Sequence, residues 1–210
     1  MRLVCVSDTH CRMNCVAVPE GDVFIHAGDL TFNGSLAQIC PELEIISKLP
    51  HEHKVIIAGN HDWCFENVFA EDVEEECTRL GITYLKDTAT TIDGVKFYGS
   101  PWQPRFYDWA FNVDRGPKIA EKWAQIPDDT QVLITHGPPF GIGDPTYRDG
   151  RVGCEDLLAR VKQLPRLLVH VFGHIHLGYG EYHEHGVKFI NASSCNERYN
   201  PVNSPIAAEI

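Results

Sequence analysis

The stretch LVCVSDTH at residues 3–10 joins a short apolar run directly to polar residues that can bind a metal ion. Four more stretches repeat this arrangement, at residues 23–29, 55–62, 132–139 and 167–176. Their apolar runs are continuous rather than alternating, which predicts strands that are covered on both faces. Segments with apolar residues three or four apart lie between these stretches and predict helices. The pattern as a whole predicts a mixed α/β fold.

Four helices and two hairpins complete this prediction. The first helix follows a Ser35…Gln38 capping box, and Pro41 is expected to kink or restart it. The other three helices follow apolar stripes at residues 73–80, 119–123 and 157–164. Two glycine-containing turns between apolar segments predict the hairpins, at Asp93-Gly94 and at His185-Gly186.

Length and composition limit the classes of protein to consider. The chain has 210 residues, of which 43% are hydrophobic and 22% charged, as in globular proteins. No repeat or linker divides it, so we expect a single domain over residues 1–210. The net charge of −11 argues against extended nucleic acid and anionic membranes as partners. The eight cysteines form no CxxC pair and no apolar run could cross a bilayer, so we expect a cytoplasmic protein with reduced thiols.

The residues that follow the apolar runs are typical metal ligands. They are Asp8, His10, Asp29, Asn60, His61, His136, His174 and His176. Functional groups collect where parallel strands end, so these side chains can converge in one cleft. Imidazole, carboxylate and amide donors suit Mn²⁺, Fe²⁺ or Fe³⁺, and also Zn²⁺ or Ni²⁺, better than Ca²⁺. One ion would leave most of the donors unused, whereas two ions about 3.5–4 Å apart would use them all if Asp29 bridges them.

These residues, in this order, resemble the motif series of the calcineurin-like metallophosphoesterases. The matching motifs are Asp8-x-His10, Gly28-Asp29, Gly59-Asn60-His61-Asp62, Thr135-His136-Gly137 and Gly173-His174-Ile175-His176. The resemblance implies the metallophosphatase fold, a four-layer α/β/β/α sandwich of two mixed sheets flanked by helices, with a dinuclear site at one edge.

The resemblance also implies a role for each matching residue. One metal ion would be held by Asp8, His10, Asp29 and His176, and the second by Asp29, Asn60, His136 and His174. His61 would contact the scissile phosphate and protonate the leaving oxygen. Asp62 would hold the imidazole of His61. Hydroxide bound to the metals would attack the phosphorus in line with the leaving oxygen.

A narrower resemblance is to the small metallophosphoesterase-domain-containing proteins of animal brain and their microbial relatives. It is carried by the stretches at residues 99–104, 109–112, 135–139 and 190–193. It implies cleavage of phosphodiesters, cyclic nucleotides among them. We therefore expect a phosphodiesterase for a small nucleotide or cyclic nucleotide.

The site charge and an aromatic stretch bear on the substrate. The charges of two divalent ions, two carboxylates and one hydroxide add up to about +1. This net charge suits a singly charged diester. Residues 102–111 are rich in aromatic side chains. These side chains either belong to the core or form a wall on which a base of the substrate stacks, with Arg105 near the phosphate. The candidate substrate-binding residues are Asn60, His61, Trp102 and Arg105.

Three other functions remain open at this point. The chain could be a phosphomonoesterase, including a protein phosphatase, or a nuclease, although the acidic charge and the absence of a basic tract disfavour the last. It could also be a metal-binding scaffold that binds nucleotides without significant turnover. Every motif position is filled, which favours catalysis. The sequence does not predict an oligomeric state.

Overall fold

Strand β1 (Arg2–Val6) illustrates how the sequence forms the core of the protein. The structure is a computed structural model that describes residues 1–210. Leu3 and Cys5 belong to the apolar cluster between two sheets, whereas Val4 and Val6 belong to the cluster beneath the helices. All four side chains are fully buried. Because both faces of the strand are covered, its sequence is continuously apolar.

The first sheet is mainly parallel. Its strands, in spatial order, are β15 (Ile206–Glu209), β1, β2 (Val23–Ala27), β3 (His53–Ile57) and β4 (Thr83–Tyr84). Strands β1 to β4 run parallel, and β15 adds an antiparallel edge. The carboxyl ends of β1, β2 and β3 therefore meet at one edge of the sheet.

The second sheet is mixed and has six strands. In spatial order they are β13 (Gly180–Glu184), β14 (Val187–Asn191), β12 (Val169–Phe172), β9 (Val132–Thr135), β6 (Val95–Ser100) and β5 (Thr88–Ile92). Both predicted hairpins are confirmed, as the antiparallel pairs β5–β6 and β13–β14 at the two edges. Two short ribbons stand apart from the sheets: β7 (Gln103–Pro104) with β8 (Asn112–Val113), and β10 (Pro145–Thr146) with β11 (Gly150–Arg151).

Four α-helices cover the outer faces of the two sheets. They are α1 (Leu36–Ser47) and α2 (Ala70–Arg79) on the first sheet, and α3 (Pro117–Trp123) and α4 (Glu155–Val161) on the second. Ile39 of α1 shares a cluster with Phe24 of β2, and Trp123 of α3 shares one with Leu133 of β9. The predicted four-layer α/β/β/α sandwich is confirmed. None of these helices is long and apolar enough to cross a membrane.

Two helix ends differ from the prediction, the start of α1 and the end of α4. The Ser35 side chain makes no capping bond, and Gln38 Oε1 accepts hydrogen bonds from the amides of Phe32 and Asn33 instead of the Ser35 amide. The capping box is therefore wrong. Helix α1 continues through Pro41 without restarting. Helix α4 ends at Val161 instead of near residue 164, because the amide of residue 164 bonds three residues back in a tighter turn.

The two sheets are joined at their carboxyl ends, just beyond β1 and β14. The Ser7 amide donates to the Ala192 carbonyl at 2.9 Å, and the Ser194 amide donates to the Ser7 carbonyl at 2.8 Å. This junction places the loops that follow strands of both sheets at one common edge.

Candidate metal centre

The predicted ligands lie on five loops that follow strands at this common edge. Those after the first sheet's strands are Asp8, His10, Asp29, Asn60 and His61, and those after the second sheet's strands are His136, His174 and His176. Potential ligand atoms of Asp8, His10 and His176 lie within 4.8 Å of one another, as do those of Asp29, His136 and His174. The fold thus brings the donors of both sheets into two adjacent groups.

Asp29 lies between the two groups. Its Oδ1 atom is 3.4 Å from Nε2 of His136, and its Oδ2 atom is 3.9 Å from Nε2 of His10. The His61 amide also donates to Oδ1, at 2.8 Å. One carboxylate oxygen thus faces each group, which is the position that a bridging ligand requires.

Hydrogen bonds to backbone carbonyls orient the imidazoles. Nδ1 of His10 lies 3.1 Å from the Thr31 oxygen, Nδ1 of His136 3.0 Å from the Ala27 oxygen, and Nδ1 of His176 3.0 Å from the Asn196 oxygen. A carbonyl can only accept, so Nδ1 carries the proton and the neutral ring has its lone pair on Nε2. This is the tautomer that binds a metal ion through Nε2.

Two close contacts between candidate ligand atoms indicate whether cations fit between them. Nε2 of His10 lies 3.5 Å from Nε2 of His176, and Nε2 of His136 lies 2.9 Å from Oδ1 of Asn60. When the rings are neutral, two lone pairs face each other in each pair, an arrangement that a cation stabilises, whether it is a proton on Nε2 or a metal ion. The donor types and their orientation therefore fit divalent metal ions.

The two carboxylates are buried but ionised. Asp8 accepts hydrogen bonds from the His174 amide at 3.0 Å and from Ser193 Oγ at 2.9 Å. Burial opposes ionisation, yet the hydrogen bond to His176 and the surrounding imidazoles hold the pKa of Asp8 well below its usual value. Burial likewise opposes a charge on His136, but the Asp29 carboxylate raises the pKa of His136 to about 9. Two buried negative charges give the site an affinity for cations.

Glycines in the motifs permit the close approach of the loops. A Cβ atom on Gly59 would collide with the side chain and amide of Asp29, and one on Gly173 would collide with the Asp8 carboxylate and Ser7. Four predicted ligands themselves have left-handed backbones, with φ of 52° at Asp8, 44° at His10, 56° at Asp29 and 65° at His174. Non-glycine residues rarely adopt this conformation, and it occurs preferentially at functional sites.

Asp62 does not hold the imidazole of His61, and this part of the expectation is wrong. Its carboxylate accepts hydrogen bonds from the amides of Leu30, Thr31 and Gly59 and from the Thr31 hydroxyl, at 2.7 to 3.1 Å. The Phe32 carbonyl, 2.7 Å from Nδ1, holds His61 instead. Because these donors lie on both loops, Asp62 joins the loop after β2 to the loop after β3.

A cavity of about 290 Å³, here called the metal cleft, opens above Asp29, Asn60, His61, His174 and His176. Four aromatic residues line its walls, Phe106, Trp109, Tyr147 and Tyr199, together with Pro145, Thr146, Ile175, Leu177 and Glu197. The Trp109 ring packs on His61 at an angle of 34° with centroids 4.3 Å apart, and the Tyr199 ring meets His10 edge-on at 4.7 Å. Phe106 and Trp109 lie in the aromatic stretch singled out from the sequence, whereas no sequence signal indicated Tyr147 or Tyr199.

Trp102 and Arg105, the other substrate-binding candidates, lie outside the metal cleft. The Trp102 indole donates to Asp87 at 2.7 Å and packs beneath Lys122, whose Nζ lies 3.8 Å from the ring centroid. Arg105 lines an adjoining cavity of about 360 Å³, here called the side cavity. The structure therefore does not bring Trp102 to the candidate substrate site, and it brings Arg105 only to its neighbour.

Comparison with known proteins agrees with this geometry. The family model described as calcineurin-like phosphoesterase matches residues 1–178. The chain belongs to the calcineurin-like phosphoesterase family. This family uses divalent metal ions, and the chain has the clusters of histidine and aspartate to bind them.

Two proteins that are similar to this chain come from animals. The human protein named metallophosphoesterase domain-containing protein 1 is 41% identical over 230 residues, covering 100% of this chain and 71% of its own length. A UPF0046 protein of Caenorhabditis elegans is 39% identical over 208 residues, covering 94% of this chain and 71% of its own length.

Solved structures with low sequence identity support the fold alone. One has a TM-score of 0.69 at 17% identity and covers 90% of this chain and 89% of its own. The structure of TT1561 from Thermus thermophilus has a TM-score of 0.60 at 12% identity, with 90% and 88% covered.

Proposed function

We propose that this member of the calcineurin-like phosphoesterases is a metal-dependent phosphodiesterase that hydrolyses a small nucleotide or cyclic nucleotide. The observation that carries the proposal is the convergence of two ligand groups on Asp29 at the floor of the aromatic metal cleft. The net charge of −11 favours a small substrate over extended nucleic acid. The eight free cysteines fit a reducing compartment such as the cytoplasm.

The chain's own donors define where two divalent ions would bind. Asp8, His10, Asp29 and His176 form one set, and Asp29, Asn60, His136 and His174 form the other. Mn²⁺ and iron are the ions we propose, with Zn²⁺ or Ni²⁺ as other occupants. When bound, such ions supply positive charge for the phosphate oxygens and lower the pKa of water.

We assign to His61 the donation of a proton to the leaving oxygen. Its Nδ1–H group donates to the Phe32 carbonyl, and its Nε2 atom lies 3.9 Å from Oδ2 of Asp29 at the floor of the metal cleft. Trp109 packs on one face of the His61 ring, and the His61 side chain is only 12% exposed. The ring therefore has little freedom to rotate. A proton donor held in this way contributes about 10²–10⁴-fold to a rate.

The walls of the metal cleft favour a substrate that carries a planar aromatic group. Phe106 is 52% exposed and Tyr147 is 81% exposed, yet both line the same cavity. Aromatic side chains that stand free at a cavity mouth can stack on a nucleobase, and each stacked base contributes about 1–3 kcal/mol. A nucleoside substituent satisfies this requirement.

The experiment that tests this proposal compares two chromogenic esters on protein loaded with Mn²⁺. We expect turnover of bis(4-nitrophenyl) phosphate to exceed that of 4-nitrophenyl phosphate. The opposite preference would replace the proposal with a phosphomonoesterase. Metal-replete protein that hydrolyses neither ester, nor any cyclic nucleotide, would identify a binding scaffold and contradict the proposal.

A further inference from the structure

The metal cleft and the side cavity adjoin each other and share four lining residues. Phe106, Thr146, His174 and Ile175 line both cavities. The loop that carries Phe106 is held in place, because Asn112 Nδ2 donates to the carbonyls of residues 106 and 107 and its Oδ1 accepts from the Phe106 amide. His174 lines both cavities, so a phosphorus atom bound beside His174 would have access to both spaces.

The two spaces differ in chemistry. Above the candidate ligands, the metal cleft is lined by aromatic and aliphatic side chains together with Thr146 and Glu197. The side cavity shares Phe106, Thr146, His174 and Ile175 with the cleft, and it differs by the charged residues Arg105, Arg115 and Asp149. Two rigid spaces of different character at one phosphorus suit a diester with two different substituents. A cyclic nucleotide, whose two ester oxygens belong to one sugar, would leave the side cavity empty.

Arg105 and Asp149 provide the free polar groups of the side cavity. Arg105 uses Nε on Asp114, at 2.7 Å, and its two terminal amino groups have no partner in the protein. Arg115 is occupied, because it binds the carbonyls of Val152 and Gly153 and the Glu155 carboxylate. The Asp149 backbone amide donates to the Thr146 hydroxyl, whereas the Asp149 carboxylate has no hydrogen-bond partner in the protein. The carboxylate is therefore available as an acceptor.

A donor and an acceptor together select a neutral, oxygen-rich group. Hydroxyl groups can accept from the Arg105 guanidinium and donate to the Asp149 carboxylate. A second phosphate would meet Asp149 as a like charge, and an apolar group would leave the guanidinium donors unpaired. The side cavity is therefore suited to a polyol or a sugar.

We infer that the substrate is an acyclic phosphodiester with an aromatic-bearing substituent in the metal cleft and a polyol or sugar substituent in the side cavity. This inference rests on the proposed function. His61 lines the metal cleft and not the side cavity, so the aromatic-bearing alcohol is the leaving group. Water forms a bond to phosphorus and releases a proton to solvent, the bond to the leaving oxygen breaks, and protonated His61 donates its proton to that oxygen and takes up another from solvent. The products are the aromatic-bearing alcohol and a phosphomonoester of the polyol.

The test uses two diesters with the same leaving group, glyceryl 4-nitrophenyl phosphate and methyl 4-nitrophenyl phosphate. Wild-type protein should have a kcat/KM about tenfold higher for the glyceryl ester, as expected for one hydrogen bond to a charged group. Arg105→Gln should abolish most of this preference, and Val152→Phe should do the same by filling the side cavity. Arg166→Gln, which removes an exposed charge elsewhere, is the matched control and should retain the preference.

A binding measurement gives a second readout that needs no turnover. Calorimetry should show that Arg105→Gln weakens binding of glycerol 3-phosphate about tenfold relative to methyl phosphate. Equal efficiency with the two diesters, or an equal loss with both in Arg105→Gln, would overturn the inference and leave the proposed function intact. Wild-type protein that hydrolyses no diester at all would overturn the proposed function and the inference with it.

Discussion

At the scale of single residues, the proposed function gives the side chains around the metal cleft two separate roles, cation binding and action on the substrate. Asp29 contacts both groups of ligands, whereas His61 is held by the Phe32 carbonyl and by Trp109. Loss of a bridging ligand disrupts both ion sites, and loss of a proton donor leaves them in place. This difference makes the two roles separable.

Asp29→Asn and His61→Gln should therefore behave differently. We expect Asp29→Asn to lose bound metal and activity together, because it removes the negative charge between the two groups. We expect His61→Gln to retain two ions per chain and lose about 10²–10⁴-fold in kcat. Metal analysis by mass spectrometry, with circular dichroism as a check on folding, measures both. An Asp29→Asn variant with two tightly bound ions would refute the bridging role.

Asp62 has a different role, because its carboxylate accepts four hydrogen bonds inside the protein. An amide in its place has one acceptor oxygen, so Asp62→Asn should lower the free energy of unfolding by about 1–3 kcal/mol. Urea unfolding at pH 7 measures this. Asp93→Asn, in an exposed hairpin turn, is the control and should change little. Equal stabilities of the two variants would mean that the loop connection is unimportant.

At the scale of secondary-structure elements, the strand-to-loop junctions were the most predictable part of the chain. Continuous apolar runs predicted the strands, and the left-handed loops after them contain the ligands, because parallel strands end at one edge. Individual side-chain hydrogen bonds were not predictable. The Gln38 side chain bonds to the loop before α1, and the Trp102 indole bonds to Asp87 beside the ends of β5 and β6, and no sequence pattern indicates either contact.

Helix α1 carries a buried acid whose ionisation should affect stability. Glu42 is 5% exposed and accepts a hydrogen bond from the Met13 amide at 3.1 Å. Burial raises the pKa of Glu42 from 4.5 to about 7. The folded state therefore favours the protonated acid, so this contribution to stability is complete below pH 4.5 and is lost as the pH rises through 7.

Glu42→Gln removes this titration. The free energy of unfolding of Glu42→Gln minus that of wild type should rise by about 2–4 kcal/mol between pH 5 and pH 8. This value follows because each tenfold change in proton affinity corresponds to about 1.4 kcal/mol. Urea unfolding of both proteins at the two pH values measures the difference. A difference that does not change with pH would contradict the buried ionisation.

At the scale of the whole molecule, the candidate site exists only where the two sheets meet. Asp8 follows the first sheet, Ser193 follows the second, and they bond at 2.9 Å. Ligands spread over residues 8–176 converge only in the folded chain, so cation binding is coupled to folding. The ordered motifs predicted this convergence, but the walls contributed by Tyr147 and Tyr199 depend on loop conformations that no periodicity encodes.

Metal removal should therefore lower thermal stability. An ion present at 100 times its dissociation constant stabilises the folded state by about 2.7 kcal/mol, which corresponds to about 5–10 °C in Tm for a chain of this size. Scanning calorimetry with Mn²⁺ and with excess chelator measures the shift, and Asp29→Asn should show little of it. An identical Tm for wild type in both conditions would argue against an intrinsic metal site.

Anomalous diffraction from crystals of the Mn²⁺-loaded protein tests the central claim most directly. It should show two peaks, one bound by Asp8, His10, Asp29 and His176 and the other by Asp29, Asn60, His136 and His174, with Asp29 touching both. A single peak, or two peaks that do not share Asp29, would contradict the dinuclear site on which the proposed activity depends.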